Sequence, residues 1–175
     1  IYSFSFKSKG GGASEKEPEE EATSLGKFAS ANISYPSQIL DLANWKITLP
    51  IGLSEIPIEI EQPELANHMV DPWFQVTSSA VRFRAAVNGK TTKGSNYPRS
   101  ELREMVDGGK EKASWSSEDG THIMFLDLTI TSVPTIKQDV VVGQIHDDNK
   151  DVIVIRLDYP HLHIRVNGKD VHTLD

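Results

Sequence analysis

Short segments in which apolar and polar residues alternate with period two recur along most of the chain after residue 44, and that pattern restricts it to sheet structure. Val81, Phe83 and Ala85 alternate with Arg82 and Arg84, Leu102 alternates with Arg99, Glu101 and Arg103, and Met124, Leu126, Leu128 and Ile130 make another apolar face. Val140 to His146, Val152 to Asp158 and Leu162 to Val166 continue the pattern. Successive side chains of a strand point to opposite faces, so each segment buries one side and exposes the other. Many such strands at regular spacing predict an all-β fold, a jelly-roll β-sandwich. Trp45 to Leu49 predicts a strand ending at Pro50, and the stretch holding Pro57 and Pro63 reads as a loop. Ser37 to Asn44, with a capping Ser and apolar residues at near-helical spacing, predicts a short helix.

Two Asn-Gly pairs, Asn88-Gly89 and Asn167-Gly168, predict tight turns of the type in which both central residues take positive φ. A two-residue hairpin at the second pairs Val166 with Lys169, Arg165 with Asp170, Ile164 with Val171 and His163 with His172. Leu162, Ile164 and Val171 then face inward, and His161, His163 and His172 share the outer face. Such a trio could hold a metal, but Arg165 and Asp170 beside it favour a solvated cross-strand surface, so no metal site is assigned.

Residues 7 to 34 differ in character: Gly10 to Gly12, then Glu15, Glu17 and Glu19 to Glu21 around Pro18, then a Ser/Ala stretch. Such a segment cannot bury enough apolar surface to offset its ordering entropy. Residues 1–36 therefore read as a flexible acidic and Gly-rich linker or N-terminal extension, and residues 37–175 as the folded domain. Asn32-Ile33-Ser34 fits the glycosylation acceptor pattern, a three-residue match that polar segments also produce by chance. The absence of an initiator Met, and a final hairpin followed by nothing, suggest a chain cut at both ends, the C-terminal cut leaving an open sheet edge. No secretory signal is visible in the first residues.

The chain has 18 Lys+Arg against 25 Asp+Glu, a net charge of -7, and no cysteine. It can have no disulfide framework, thiol nucleophile or cysteine-ligated metal. Its acidity argues against nucleic acid as a partner, and no apolar run reaches the roughly 18 to 20 residues that would span a membrane.

Against that acidity, residues 81 to 103 hold six basic residues, Arg82, Arg84, Lys90, Lys93, Arg99 and Arg103, and one acid, Glu101, for a local charge of +5. A positive patch on a negative protein steers polyanions. Alternation places Arg99, Glu101 and Arg103 on one face, where Glu101 can hold both guanidiniums while donors stay free for an outside carboxylate. A surface salt-bridge ladder is the alternative. Further on, Gln144 and His146 emerge from one face of an otherwise apolar strand; unsatisfied burial would cost each about 1–3 kcal/mol, so they mark either a site or a strand end entering solvent at Asp147-Asp148-Asn149.

The stretch Val87-Asn88-Gly89-Lys90-Thr91-Thr92 to Ser95-Asn96-Tyr97-Pro98-Arg99-Ser100-Glu101-Leu102-Arg103-Glu104-Met105, followed by Gly143-Gln144-Ile145-His146, resembles polysaccharide lyase family 7, the alginate lyases. Leu40-Asp41-Leu42-Ala43-Asn44-Trp45-Lys46-Ile47-Thr48-Leu49-Pro50 is similar to that family's N-terminal stretch. The resemblance implies a jelly roll with a concave substrate cleft, β-elimination on alginate, no metal or organic cofactor, and an extracellular location. Carried over, Arg99 and Gln144 neutralise the uronate carboxylate, His146 takes part in proton abstraction, and Glu101 and Arg103 support the cleft; Arg82, Arg84 and Lys93, from the basic stretch, are read with Glu101 and Arg103 as substrate-binding residues. Ile145 in the Gln-x-His signature implies a preference for guluronate. A neutral His146 as base, with Asp147 and Asp148 favouring its protonated form, implies activity rising from mildly acidic to mildly alkaline pH.

The family's Tyr-Phe-Lys-x-Gly-x-Tyr-x-Gln signature, whose Tyr would supply the acid, has no counterpart in these residues. The expectation is that this chain alone is weakly active or inactive. A polyuronate-binding module without catalysis is the main alternative. Hydrolysis would need two carboxylates across the bond, and Glu101 and Glu104 point to opposite faces of a regular strand. Trp45, Trp73 and Trp115 are core or sugar-stacking residues.

Overall fold

A computed structural model describes residues 33–116, 118–146 and 151–175. Most of the proposed linker, Asn32, and the acidic pair Asp147 and Asp148 lie outside the described residues. Among the described residues ten strands and two short 3₁₀ turns appear, and no helix is long and apolar enough to cross a membrane. The chain divides after Leu128 into two compact units.

The first unit has a four-stranded antiparallel sheet ordered β2-β1-β5-β6, built from β1 (Trp45–Leu53), β2 (Ile56–Ile60), β5 (Glu101–Val106) and β6 (Glu111–Lys112). A separate hairpin pairs β3 (Phe74–Thr77) with β4 (Ala80–Phe83). Opposed residues share a face, so the pairs Ile47↔Ile60 and Ile47↔Leu102 run an apolar row across the sheet. Leu40, Leu42, Ile47, Leu49, Ile60, Leu65, Phe74, Val81 and Phe83 form the buried core, with Trp45, Trp73 and Leu102 packed against it. Within it the cross-strand pair Phe74 and Phe83 meets at a centroid distance of 5.2 Å.

The other face of β1 is also covered, because Lys46, Thr48 and Pro50 are buried alongside Ile47 and Leu49. The strand continues through Pro50 instead of ending there. Pairing with β5 stops at Thr48↔Glu101 and the β2 register shifts between Thr48 and Gly52, so no ladder bond asks for the N–H that proline lacks. Its carbonyl accepts from Lys90 N–H at 2.8 Å. The stretch around Pro57, expected to be a loop, is strand β2, since a sheet edge tolerates proline.

The helix expected over Ser37 to Asn44 reduces to a 3₁₀ turn, Pro36–Gln38. Gln38 folds its amide back to accept from the backbone of Ser34 and Tyr35 at 2.7 and 2.9 Å, and Leu40 and Leu42 are buried at period two with Asp41 exposed between them. Asp41 accepts from Ala43 N–H at 3.1 Å, a local side-chain turn that competes with helix. Met124 to Ile130, expected as a strand, pairs with no described segment and forms no ladder.

The second unit is a meander ordered β10-β9-β8-β7, from β7 (Asp139–His146), β8 (Asp151–Asp158), β9 (His161–Val166) and β10 (Lys169–Leu174). Its last turn is as expected, with Asn167 at φ 49 and Gly168 at φ 75. The expected register holds for Val166↔Lys169 and Arg165↔Asp170, then slips at Val171 so that His172 opposes Ile164 and Thr173 opposes His163. Val171 is consequently 58% exposed instead of facing inward. His163 and His172 fall on opposite faces, so the shared histidine face does not form. Phe74→Ala should lower unfolding free energy by about 3–5 kcal/mol in a urea titration of the chain, whereas Val171→Ala should change it by less than about 0.5 kcal/mol.

Candidate active site

Asn88-Gly89 is not the positive-φ turn that its sequence suggests, since neither residue is among those with positive φ. The glycine serves close approach instead: a Cβ at Gly89 would sit 2.9 Å from Pro50 Cβ, Pro50 O and Pro98 Cβ. The loop is thus clamped between the covered face of β1 and the proline that leads into Arg99. Ser100 Oγ donates to Trp73 O at 2.9 Å, and Arg84 N–H donates to the same carbonyl at 2.9 Å. One carbonyl therefore ties the end of β4 to the start of β5, and the Arg84 guanidinium lies 5.8 Å from the Trp73 ring centroid.

Arg99 precedes β5, so it is outside that strand's alternation. Its Nη2 donates to Ser95 Oγ at 3.2 Å, and its Nη1 lies 3.5 Å from Glu101 Oε1. Ser95 is itself fixed, accepting from Tyr97 N–H at 3.2 Å. Arg99 Nε is buried and has no hydrogen-bond partner among the described residues. A buried, unpaired donor on a cation carries a desolvation penalty, and a carboxylate is the group that best relieves it.

The expected clamp of both guanidiniums by Glu101 is half realised. Glu101 pairs with Arg99, while Arg103, half-buried on β5, has no ion pair or hydrogen bond among the described residues. Residues two apart on a strand are about 6.6 Å apart, and Glu101 is committed to the arginine ahead of the strand. On the sheet face opposite the apolar row, Glu59↔Thr48↔Glu101 and Lys46↔Arg103 are cross-strand neighbours. Lys46 Nζ lies 2.6 Å from Glu59 and 3.6 Å from Glu61, and Thr48 Oγ1 donates to Glu59 at 3.0 Å. Arg82, on β4 opposite Gln75, is half-buried, and Lys90 and Lys93 are exposed in the loop before Arg99.

Gln144 and His146 belong to the second unit, where β7 alternation puts them on one face. Gln144 opposes Val154, which opposes Arg165. His146 Nε2 lies 3.7 Å from Asp151 Oδ1 of β8, so a carboxylate does stand beside this imidazole. On the same face Arg156 binds Asp139 and, at 2.6 Å, Asp158, while Arg165 binds Asp158 at 2.9 Å and Asp170 at 2.7 Å. Burial pushes the Asp158 carboxyl up, but the hydrogen bond and charge of Arg156, with Arg165 and His163, hold it below its ordinary value. Each of these arginines is held by two aspartates, whereas Arg99 has one carboxylate, Glu101, and Arg103 has none among the described residues.

Sequence reasoning missed Ser95, Lys46 and Glu59. Ser95 carried a turn signal two residues before Tyr97, and the paired alternations Lys46-Ile47-Thr48 and Glu59-Ile60-Glu61 were the sign of adjacent strands with opposite charge. Trp115, undecided from sequence, is exposed and stacks on His122, also exposed, at 3.8 Å.

The family described as alginate lyase matches residues 40–173. Among solved structures, alginate lyase AlgAT5 from polysaccharide lyase family 7 shares 42% identity with TM-score 0.69, over 81% of this chain and 65% of that one. An alginate lyase from Corynebacterium sp. shares 49% identity with TM-score 0.66, over 79% of this chain and 63% of that one. A variant of the family 7 alginate lyase A1-II', solved in complex with product (GGG), shares 26% identity with TM-score 0.60, over 79% of this chain and 66% of that one. No curated protein matches. The chain thus spans just under two thirds of the first two relatives. These likenesses show the fold class expected from the sequence, an all-β jelly-roll sandwich.

Glu59 and Asp158 both titrate below their ordinary range in the folded chain. The native state then binds fewer protons than the unfolded one, so the stability they contribute is present above pH about 4 and lost as pH falls through that range. Urea titrations at pH 7 and pH 3 should show a large loss for the parent chain and a smaller one for Glu59→Gln and Asp158→Asn; equal losses in all three would contradict the assignment.

Proposed function

Because the chain belongs to the alginate lyase family, we propose that it serves the cleavage of alginate by β-elimination at a uronate, with guluronate-containing blocks preferred. The observation that carries this reading is Arg99: a half-buried guanidinium, oriented by Ser95 and Glu101, whose Nε–H is buried without a partner among the described residues. Such a group suits an incoming carboxylate. The product complex of the A1-II' variant supports an oligosaccharide as the ligand class.

Elimination removes the proton on the carbon next to the uronate carboxylate, which places a second negative charge beside the first. Charge and hydrogen bonds fixed in advance around the carboxylate are the strongest means of stabilising that intermediate. In this reading Arg99 and Gln144 take the carboxylate. His146, in its neutral form, accepts the proton, with Asp151 on the neighbouring strand to stabilise the imidazolium that results. The C–O bond to the leaving sugar then breaks as the double bond forms, and an acid protonates the departing oxygen. Arg82, Arg84, Lys93 and Arg103 hold neighbouring uronates, and Ile145 carries the guluronate preference that the resemblance implies.

The test is incubation with guluronate-rich alginate, following the absorbance of the unsaturated uronate product, with this chain and with a form lengthened toward the span of its solved relatives. The lengthened form should produce the absorbance. Arg99→Ala should lower its rate about 100-fold or more, and His146→Ala by about 10²–10⁴-fold. Its rate should rise from mildly acidic to mildly alkaline pH. A flat profile would remove His146 as the base. Retained alginate binding with no product from either form would replace catalysis by polyuronate binding alone.

A further inference from the structure

We propose that Lys46 is a positioning residue that keeps Arg103 available to a uronate carboxylate, an inference resting on the carboxylate-binding reading above. Lys46 and Arg103 are directly opposed on β1 and β5, so two cations share one face of the sheet. Like charges in that relation are unfavourable. Lys46 relieves the conflict by turning to the other side: its side chain is 8% exposed, and its ammonium reaches Glu59 at 2.6 Å and Glu61 at 3.6 Å.

Glu59 is a competent anion in this arrangement. Burial pushes its carboxyl up, but the hydrogen bond and charge of Lys46, the Thr48 hydroxyl and the charge of Lys112 hold it below its ordinary value. It would be an equally good partner for a guanidinium. The strands β2 and β5 flank β1, and strands two apart are separated by about 10 Å, within the combined reach of an Arg and a Glu side chain. With Lys46 gone, Arg103 and Lys112 are the cations of this face left to Glu59 and Glu61. Glu101, the remaining carboxylate of this face, is already paired with Arg99 at 3.5 Å. Lys46 thus occupies the two carboxylates that would otherwise quench Arg103, and its charge repels the guanidinium from their direction. Arg103 is left half-buried with no ion pair among the described residues.

The test is calorimetric binding of a guluronate tetrasaccharide to the chain, with melting curves to verify folding. Lys46→Met should weaken binding about tenfold, the size of one charge-assisted hydrogen bond. Adding Glu59→Gln and Glu61→Gln to it should restore the affinity, because the competing carboxylates are gone. Glu59→Gln alone, which leaves Lys46 in place, should not weaken binding even where it lowers the melting temperature. A structural role for the Lys46–Glu59 pair predicts the reverse, with affinity following stability and no rescue. Should Lys46→Met not fold, the triple variant and Glu59→Gln carry the test, since in neither does Glu59 or Glu61 remain as a carboxylate without Lys46. Weak binding in the triple variant, or undiminished binding in Lys46→Met, overturns the inference. Arg99→Ala separates the two layers: no binding by the parent chain, or binding that Arg99→Ala leaves unchanged, removes the carboxylate reading itself and this inference with it. Arg99-dependent binding that ignores Lys46 removes this inference alone.

Discussion

The first unit depends on β1 being covered on both faces. On one side Ile47 and Leu49 enter the apolar core and align with Ile60 and Leu102. On the other, Lys46 and Thr48 are as inaccessible as their apolar neighbours, which is tolerable only because Glu59 satisfies both. That pairing fixes β2 against β1 by side-chain chemistry as well as by the backbone ladder. It also lets a strand of mixed polarity occupy the middle of a sheet, with charged groups of β5 set beside it. Breaking such a pair by removing one partner is costly, because a buried charge is left without a counter-charge.

From that strand the polar face acquires its character. Pro50 extends β1 far enough to receive the loop holding Gly89, and Pro98, against the same glycine, leads into Arg99. Ser95, Ser100 and Glu101 then hold the segment from three sides. Along this segment, the groups without a partner among the described residues are one buried Nε–H on Arg99 and the guanidinium of Arg103. The second unit contrasts with this, since Arg156 and Arg165 are each held by two aspartates. Arginines short of carboxylate partners on a protein with net charge -7 make a local attraction for anions against an acidic background.

Period-two patterning made the strands legible because burial on one face is a local, residue-by-residue signal. Val81 and Phe83, with Arg82 between them, show it directly. Where the outcome depended on a partner in space, the sequence misled. Pro57 argued for a loop, but its strand lies at an edge. Met124 to Ile130 alternates well and yet has no described strand to pair with. Asn88-Gly89 carried a turn signature whose real cause is a tight approach to Pro50 and Pro98, which no dipeptide reveals. In the last hairpin the turn was legible and the slip at Val171 was not, since a bulge is set by packing beyond the turn. The same division holds for the site. The Arg99–Glu101 pair was legible from residue type and spacing, but β5 begins at Glu101, so Arg99 lies two residues ahead of the strand and Arg103, inside it, stays out of their pair. Lys46 and Glu59 needed the register of β1 on β2 to become visible.

The central claim is that Arg99 is a receptor for a uronate carboxylate. The most direct measurement is an NMR titration that follows the Arg99 Nε–H resonance with oligoguluronate and, separately, with the same oligosaccharide after reduction of its carboxyl groups. A saturable shift of that resonance with the uronate and none with the reduced sugar is the expected result. Equal shifts with both, or a resonance that ignores the uronate while binding occurs elsewhere, would contradict it.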